Sequence, residues 1–266
     1  MHARRLEVDA HRIGRWVLGF SDRHDGARVL TSGSGVTGDC RGTGHPGATG
    51  DSGRTGGDRT GEGQQAGAEE LVLEGGDGAR AELRRWTGPA GGADAARVSS
   101  GVVPAGLLDA EVAEAITDWA QPPQHLGLIL VRRGGYSVGL SDGAELAAHK
   151  SGTRYVQSRT AAGGWSQQRF ARRRGNQAAA LIDSVVEHAT RLLVAPPQGR
   201  AEHKPTALVL GGDRALAAEV IAARELATLA GLPQRMLADL SDPRHSVLRQ
   251  ALRRGRSVPI SLTEAH

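Results

Sequence analysis

The sequence predicts an α/β protein in two parts: a small N-terminal α+β unit over residues 1–120 and, over 121–266, a mixed sheet with helices packed on it. Three observations carry that prediction. His125–Val131 is an almost unbroken apolar run, which marks a strand buried on both faces. Two clusters of turn residues, Gly134-Gly135 and Ser141-Asp142-Gly143, follow it at strand spacing. Beyond residue 175 the apolar residues recur at helical spacing, interrupted by two short apolar runs.

In the first part, Asp9 can cap a helix that carries Ile13, Trp16, Val17 and Phe20 on one face, and Gly26 suits its exit. From Thr31 to Glu70, 13 of 40 residues are glycine and the only branched apolar side chain is Val36. Such a stretch cannot bury enough apolar surface to offset the entropy of ordering it, so 31–70 is expected to be a disordered insertion. Cys40 and His45 within it are expected to be exposed bystanders. Leu71–Glu74 and Ala79–Arg84 flank Gly75-Gly76-Asp77-Gly78 as a hairpin. A second amphipathic helix follows Asp109, with Val112, Ile116 and Trp119 on one side, and Pro122-Pro123 ends it.

In the second part, His125–Val131, Tyr136–Leu140 and then Glu145–Ala148 and Thr153–Arg159 read as an antiparallel meander. A helix is expected from about Asn176 to Leu193, with Leu181, Ile182, Val185, Ala189 and Leu192 buried. A strand at Ala207–Leu210 leads through Gly211-Gly212-Asp213 into a helix reaching about Leu229. A strand near Arg235–Leu240 and a helix from about Pro243 to Arg253 follow. The order β-β-β-α-β-α-β-α is that of a ribonuclease H-like fold. Gly211-Gly212-Asp213 lacks the third glycine of a dinucleotide fingerprint and the lysine of a P-loop, so Asp213 is expected simply to cap a helix.

Composition narrows the function. No run of eighteen apolar residues exists, so no membrane helix is expected, and Met1–Asp9 lacks the apolar core of a secretory leader. A single cysteine excludes an internal disulfide framework and points to a cytoplasmic compartment. Net charge is only +4, but no acidic residue lies between Glu145 and Asp183. That gap holds Lys150, Arg154, Arg159, Arg169, Arg172, Arg173 and Arg174, seven cations that exceed the net charge of the whole chain. A single-sign patch of this density fits a polyphosphate, most commonly nucleic acid.

Inside the basic stretch lies Ala161-Ala162-Gly163-Gly164-Trp165-Ser166-Gln167-Gln168, expected to be a protruding loop between a strand and a helix. Adjacent glycines let a backbone approach a ligand closely, and a glutamine offers donors and an acceptor without being a titratable base. The stretches His149-Lys150-Ser151-Gly152-Thr153-Arg154-Tyr155 and Gly163-Gly164-Trp165-Ser166-Gln167-Gln168-Arg169-Phe170-Ala171-Arg172-Arg173-Arg174 resemble the actinobacterial Vms-like release factor family of peptidyl-tRNA hydrolases. That family is similar to the central domain of eukaryotic and archaeal termination factors. The resemblance implies that 121–266 is a release-factor-like catalytic domain with a Gly-Gly…Gln loop. It further implies release of nascent chains from peptidyl-tRNA on the large ribosomal subunit, in ribosome rescue or quality control. Nothing in the sequence looks like a stop-codon-reading domain, so codon-independent release is expected, by a monomer with no cofactor.

Termination factors place the glutamine directly after the glycines. Here Trp165 and Ser166 intervene, and Gln167 is favoured over Gln168 as the catalytic amide, with Gly163 and Gly164 shaping the loop. Trp165 is read either as stacking on RNA or as folding back on its own domain, and Lys150, Arg154, Arg159, Arg169 and Arg172–Arg174 are assigned to rRNA or tRNA phosphates. His149 is read as structural or phosphate-contacting. No metal site is expected, because His188, His203 and His245 have no spaced acidic partners, and Asp142 and Glu145 alone do not make a two-metal nuclease. Two alternatives stand beside the hydrolase: a metal-independent nuclease cutting the tRNA acceptor end, and a non-catalytic factor that uses the patch only to dock on the ribosome.

Overall fold

A computed structural model of the protein describes residues 3–31, 70–86, 103–153, 166–196 and 203–264, with the backbone alone described at 31 and 166–174. Residues 32–69, nearly all of the expected insertion, lie outside the described residues. In chain order the strands are β1 (Ala3–Asp9), β2 (Ala27–Thr31), β3 (Glu70–Gly75), β4 (Arg80–Arg84), β5 (Gly106–Leu107), β6 (Leu126–Arg132), β7 (Gly135–Asp142), β8 (Glu145–Thr153), β9 (Ala207–Gly212), β10 (Gln234–Leu237) and β11 (Ser257–Thr263). The helices are α1 (Ile13–Arg23), α2 (Ala110–Trp119), α3 (Ser166–Ala189), α4 (Arg214–Ile221), α5 (Ala227–Ala230) and α6 (His245–Gly255).

The first sheet has six antiparallel strands in the order β1-β11-β4-β3-β2-β5. The Asp9 side chain accepts from the His11 N–H, and one turn later α1 begins; Asp109 accepts from the Val112 N–H and caps α2. Ile13, Val17 and Phe20 of α1 and Ile116 and Trp119 of α2 are buried against Leu71, Leu73, Leu83 and Ile260 of the sheet. Each such large apolar side chain contributes roughly 1.5–3 kcal/mol. A Cβ on Gly14 would fall 3.1 Å from the Ala113 carbonyl oxygen and 2.5 Å from Thr117 Oγ1, so a glycine is what lets the two helices approach.

The sequence reading ended the first unit at residue 120, yet its sheet is completed by β11 from the far end of the chain. The pattern is period two: Val258, Ile260 and Leu262 are buried while their neighbours are half-exposed. Pro259 in mid-run obscured it, since proline argues against an interior strand. Strand β1 was likewise missed, because its residues carry no buried side chain.

The second sheet runs β10-β9-β6-β7-β8; β7 is antiparallel to both neighbours, whereas β9 lies parallel to β6 and β10 to β9. With β6 counted as first, this is the strand order of a ribonuclease H-like fold. Alternation along the strands serves two cores. Ile129, Val131, Val138, Leu140 and Leu208 face α3 and α4, while Leu126, Leu128, Leu130 and Val209 face α6. The reading of two separate segments at Glu145–Ala148 and Thr153–Arg159 is corrected to one strand, β8, paired with β7 through His149–Ser151; 154–159 lie outside the described residues. The expected helix to Leu229 is broken after α4 by a 3-10 turn at Arg224–Leu226.

A half-buried cation, Arg235, joins the two sheets. The Arg235 guanidinium donates to the carbonyl oxygens of Gly255 (3.1 Å) and Ser257 (2.6 Å) and lies 4.3 Å over the Trp86 ring, whose indole N–H donates to the same Gly255 oxygen. Burial pushes its pKa down to about 10, and carbonyl dipoles and a ring quadrupole stand in for a carboxylate. Nearby, Arg254 holds Glu7 of β1 in a bidentate pair and reaches Asp239 at 2.9 Å.

Candidate functional site

The basic stretch begins on β8, the edge strand of the second sheet. Its last residue, Thr153, pairs with Gly135 at the β6–β7 turn, and residues 154–165 then connect to α3. The exit is fixed by close packing. A Cβ on Gly152 would fall 2.6 Å from the Tyr136 ring, so the tyrosine lies directly against the strand backbone there. The Tyr136 ring is in turn 5.6 Å from that of His188 on α3. Burial lowers the His188 pKa, the Lys150 and Arg191 cations lower it further, and Glu187 opposes them. Its buried Nδ1 has no hydrogen-bond partner. On the other face of β8, the exposed His149 ring meets His245 at 4.6 Å, and Ser151 and Ser137 share a 2.8 Å hydrogen bond.

Helix α3 starts earlier than the sequence suggested. Gln167 and Gln168 stand in its first turn, not in a loop, and the helix runs 24 residues from Ser166. Gly175, just before the expected start at Asn176, lies inside the helix. One interior glycine costs about 1 kcal/mol against alanine, and the good helix formers on both sides offset it. The first buried residue of α3 is Leu181 among those whose side chains are described. At 1.5 Å per residue, the helix start is carried about 22 Å along the axis from that point. The first-turn N–H groups of a helix lack intrahelical acceptors and favour negative charge, and no acidic residue lies in this first turn.

Among the expected site residues, Lys150 is exposed on β8, on the strand that leads into the connection. Arg169, Arg172, Arg173 and Arg174 stand within the first three turns of α3, their side chains not described. Gly163, Gly164, Trp165, Arg154 and Arg159 lie outside the described residues. The structure adds cations that the sequence reading passed over: Arg132 and Arg133 at the β6–β7 turn, Arg214 at the start of α4 and Arg244 before α6. All four sit at the sheet end where β8 leaves; Arg132 pairs with Asp242 at 4.0 Å, and the other three are exposed. The doublet Arg132-Arg133 was visible in the sequence, but only the strand order places it beside Thr153.

The expectation that His203 has no acidic partner is also corrected. Its Nε2 lies 3.6 Å from Asp142 Oδ2, and His125 Nδ1 lies 3.7 Å from Asp142 Oδ1. This cluster sits at the other end of β7, remote from Gly135.

The family described as Actinobacteria/chloroflexi VLRF1 release factor matches residues 124–261, just over half of the chain and all of the second sheet. No curated protein matches it. Among solved structures, the chain is similar to an archaeal translation termination factor, aRF1, at 16% identity and a TM-score of 0.36, over 68% of this chain and 46% of that one. A second archaeal protein is similar at 16% identity and a TM-score of 0.33, over 67% and 48%. The chain thus spans about half the length of these solved structures.

Proposed function

The chain belongs to the Actinobacteria/chloroflexi VLRF1 release factor family, a family of translation termination and rescue factors, and from that premise we propose that it releases nascent peptides by hydrolysing the ester of peptidyl-tRNA on the large ribosomal subunit, without reading a codon. The observation that supports this reading best is the placement of Gln167 in the first turn of α3, three residues beyond Gly164 in sequence, at the end of the helix farthest from the core.

Ester hydrolysis needs little from a protein beyond placement. Water adds to the carbonyl carbon, the oxyanion is stabilised, and the tRNA ribose oxygen leaves with a proton. The rate gain comes from orienting that water and stabilising the developing charge. The Gln167 amide orients the water without removing its proton, as a glutamine does in GTP hydrolysis. The helix N-terminus favours the oxyanion, and Gly163-Gly164 let the backbone enter the ribosomal cavity. Lys150, Arg133, Arg214 and the arginines of α3 dock on RNA phosphates, and Trp165 stacks on a terminal base. The protein acts as a monomer in the cytoplasm; among the described residues no helix is long and apolar enough to cross a membrane.

The test is peptide release from purified large subunits carrying peptidyl-tRNA. Wild-type protein frees the peptide and leaves a tRNA that can be recharged directly. A shortened tRNA would identify a nuclease instead, and unchanged release by a Gln167→Ala, Gln168→Ala double variant would reduce the protein to a docking factor.

A further inference from the structure

The second sheet has a chemical cluster at the end away from the start of α3. His125 immediately precedes β6, Asp142 ends β7, and His203 lies four residues before β9. The strand order β9-β6-β7 makes these positions neighbours. The backbone holds each in place. Thr206 N–H donates to the His125 carbonyl oxygen at 3.0 Å, Leu126 N–H to Ser141 Oγ at 2.9 Å, and Gly143 N–H to the Gln124 carbonyl oxygen at 2.8 Å. Gly143 has φ 58°, a left-handed conformation that ends the strand directly after Asp142.

The side chains converge without bonding to one another. Asp142 accepts one hydrogen bond, from Gln124 Nε2 at 2.9 Å. Its distances to the two imidazoles, 3.7 Å to His125 Nδ1 and 3.6 Å to His203 Nε2, are too long for hydrogen bonds; His125 Nδ1 donates instead to the Ser141 carbonyl oxygen at 3.3 Å, which leaves the Nε2 lone pair of that ring as its ligand. One candidate ligand atom from each residue can be chosen so that all lie within 4.8 Å of one another, and the two rings meet edge-on at 5.0 Å. Metal–ligand bonds of about 2.0–2.2 Å in tetrahedral geometry set ligand atoms roughly 3.3–3.5 Å apart; His203 Nε2 and Asp142 Oδ2, at 3.6 Å, are already near that spacing, and His125 supplies a third atom within 4.8 Å.

His203 sharpens the argument. Its Nδ1 is buried with no hydrogen-bond partner. If Nδ1 carries the proton, the Nε2 lone pair faces the carboxylate of Asp142 across 3.6 Å, and two acceptors oppose each other. If Nε2 carries it, the proton falls short of Asp142 and the buried Nδ1 lone pair is left over. A cation between Nε2 and Oδ2 converts the opposed acceptors into ligands.

We propose that His125, Asp142 and His203 form a binding site for a divalent transition-metal ion of the zinc class, distinct from the Gly163–Gln168 region. Two imidazoles with one carboxylate suit zinc or its close relatives, whereas magnesium and calcium prefer oxygen donors throughout. Gln124 fixes the carboxylate from the second layer. The side chains are part-exposed, so solvent can deliver the ion and a water can fill the fourth position. The ion ties the entries of the two adjacent parallel strands, β6 and β9, to the exit of β7.

The experiment is titration of chelator-treated, full-length protein with zinc chloride, followed by calorimetry and thermal melting. Wild-type protein binds one equivalent, and its Tm rises by about 5 °C at a hundredfold excess over Kd. His203→Gln and Asp142→Asn each weaken binding tenfold or more, and His245→Gln leaves it unchanged. Cobalt gives the intense visible absorption of a tetrahedral site in wild type and loses it in His203→Gln. His203 is part-exposed, so His203→Gln decides the matter even if Asp142→Asn folds poorly; circular dichroism checks both. No saturable binding by wild type, an unchanged Kd in a folded His203→Gln protein, or an equal Tm rise with magnesium overturns the proposal. None of these readouts depends on peptide release.

Discussion

The two halves of α3 are built on opposite rules. From Leu181 onward the helix is held by its neighbours: Leu181, Val185 and Ala189 are fully buried against β7 and α4. Before it, residues 175–180 are exposed or half-buried, and positions 169–174 include four arginines. The packed half supplies free energy that keeps the preceding turns helical, because helices are stabilised mainly by tertiary packing of one face. Stability and chemistry are therefore assigned to different turns of one element, and substitutions should separate them.

The largest expected effect is on the packed half. Leu181→Ala removes a fully buried side chain and should cost about 2–5 kcal/mol in urea unfolding. Release per folded molecule should stay within a few-fold of wild type; a much larger loss would mean that the two halves are not independent. Gln167→Ala should reverse that pattern. Unfolding free energy should change by no more than about 0.5 kcal/mol, while release falls roughly 10²–10³-fold, the usual loss for one transition-state donor. Gln168→Ala should be milder, and the opposite ranking would move the catalytic amide by one residue.

A smaller, graded effect is expected of the arginines. Neutralising Arg172, Arg173 and Arg174 together should lower the log–log salt slope of RNA binding by about 2, at roughly 0.7 per single-strand contact, and leave the melting temperature unaltered. An unaltered slope would put the docking surface on the Arg132–Arg133 turn. The smallest effect belongs to His188, whose pKa is lowered in the folded state. The unfolded chain then binds the proton more readily, so stability should fall as pH drops below the ordinary imidazole value and level off beneath the lowered one. Denaturant titrations at pH 7.5 and 5.5 should show that loss in wild type and a reduced one in His188→Gln.

Much of this architecture was legible because it is written locally. Asp109 and Asp213 sit at helix starts and their carboxylates do accept first-turn N–H groups. The apolar run before Arg132 is buried throughout, and the period of Leu181, Val185 and Ala189 is that of a packed helix. What escaped was long-range. His125, Asp142 and His203 share no spacing that a local pattern could register, and only the lateral order of strands brings them together. The same holds for the arginines at the sheet end where β8 leaves. The start of α3 was misplaced because a single glycine reads as punctuation, although the helix continues through it.

Strand β11 sets an order of assembly. It lies between β1 and β4, and among the described residues β1 has no other neighbour in the sheet. During synthesis the whole of β6–β10, with α3 to α6, emerges before β11 does, and in that interval β1 and β4 each present an open edge. Open edges invite pairing with other chains. Contacts between residues 3–9 and 257–263 are among the most sequence-distant in the molecule, and such closures come late and slowly. The first sheet is therefore finished last, by a strand delivered from α6, and a nascent chain stalled anywhere before Ser257 leaves that sheet split in two.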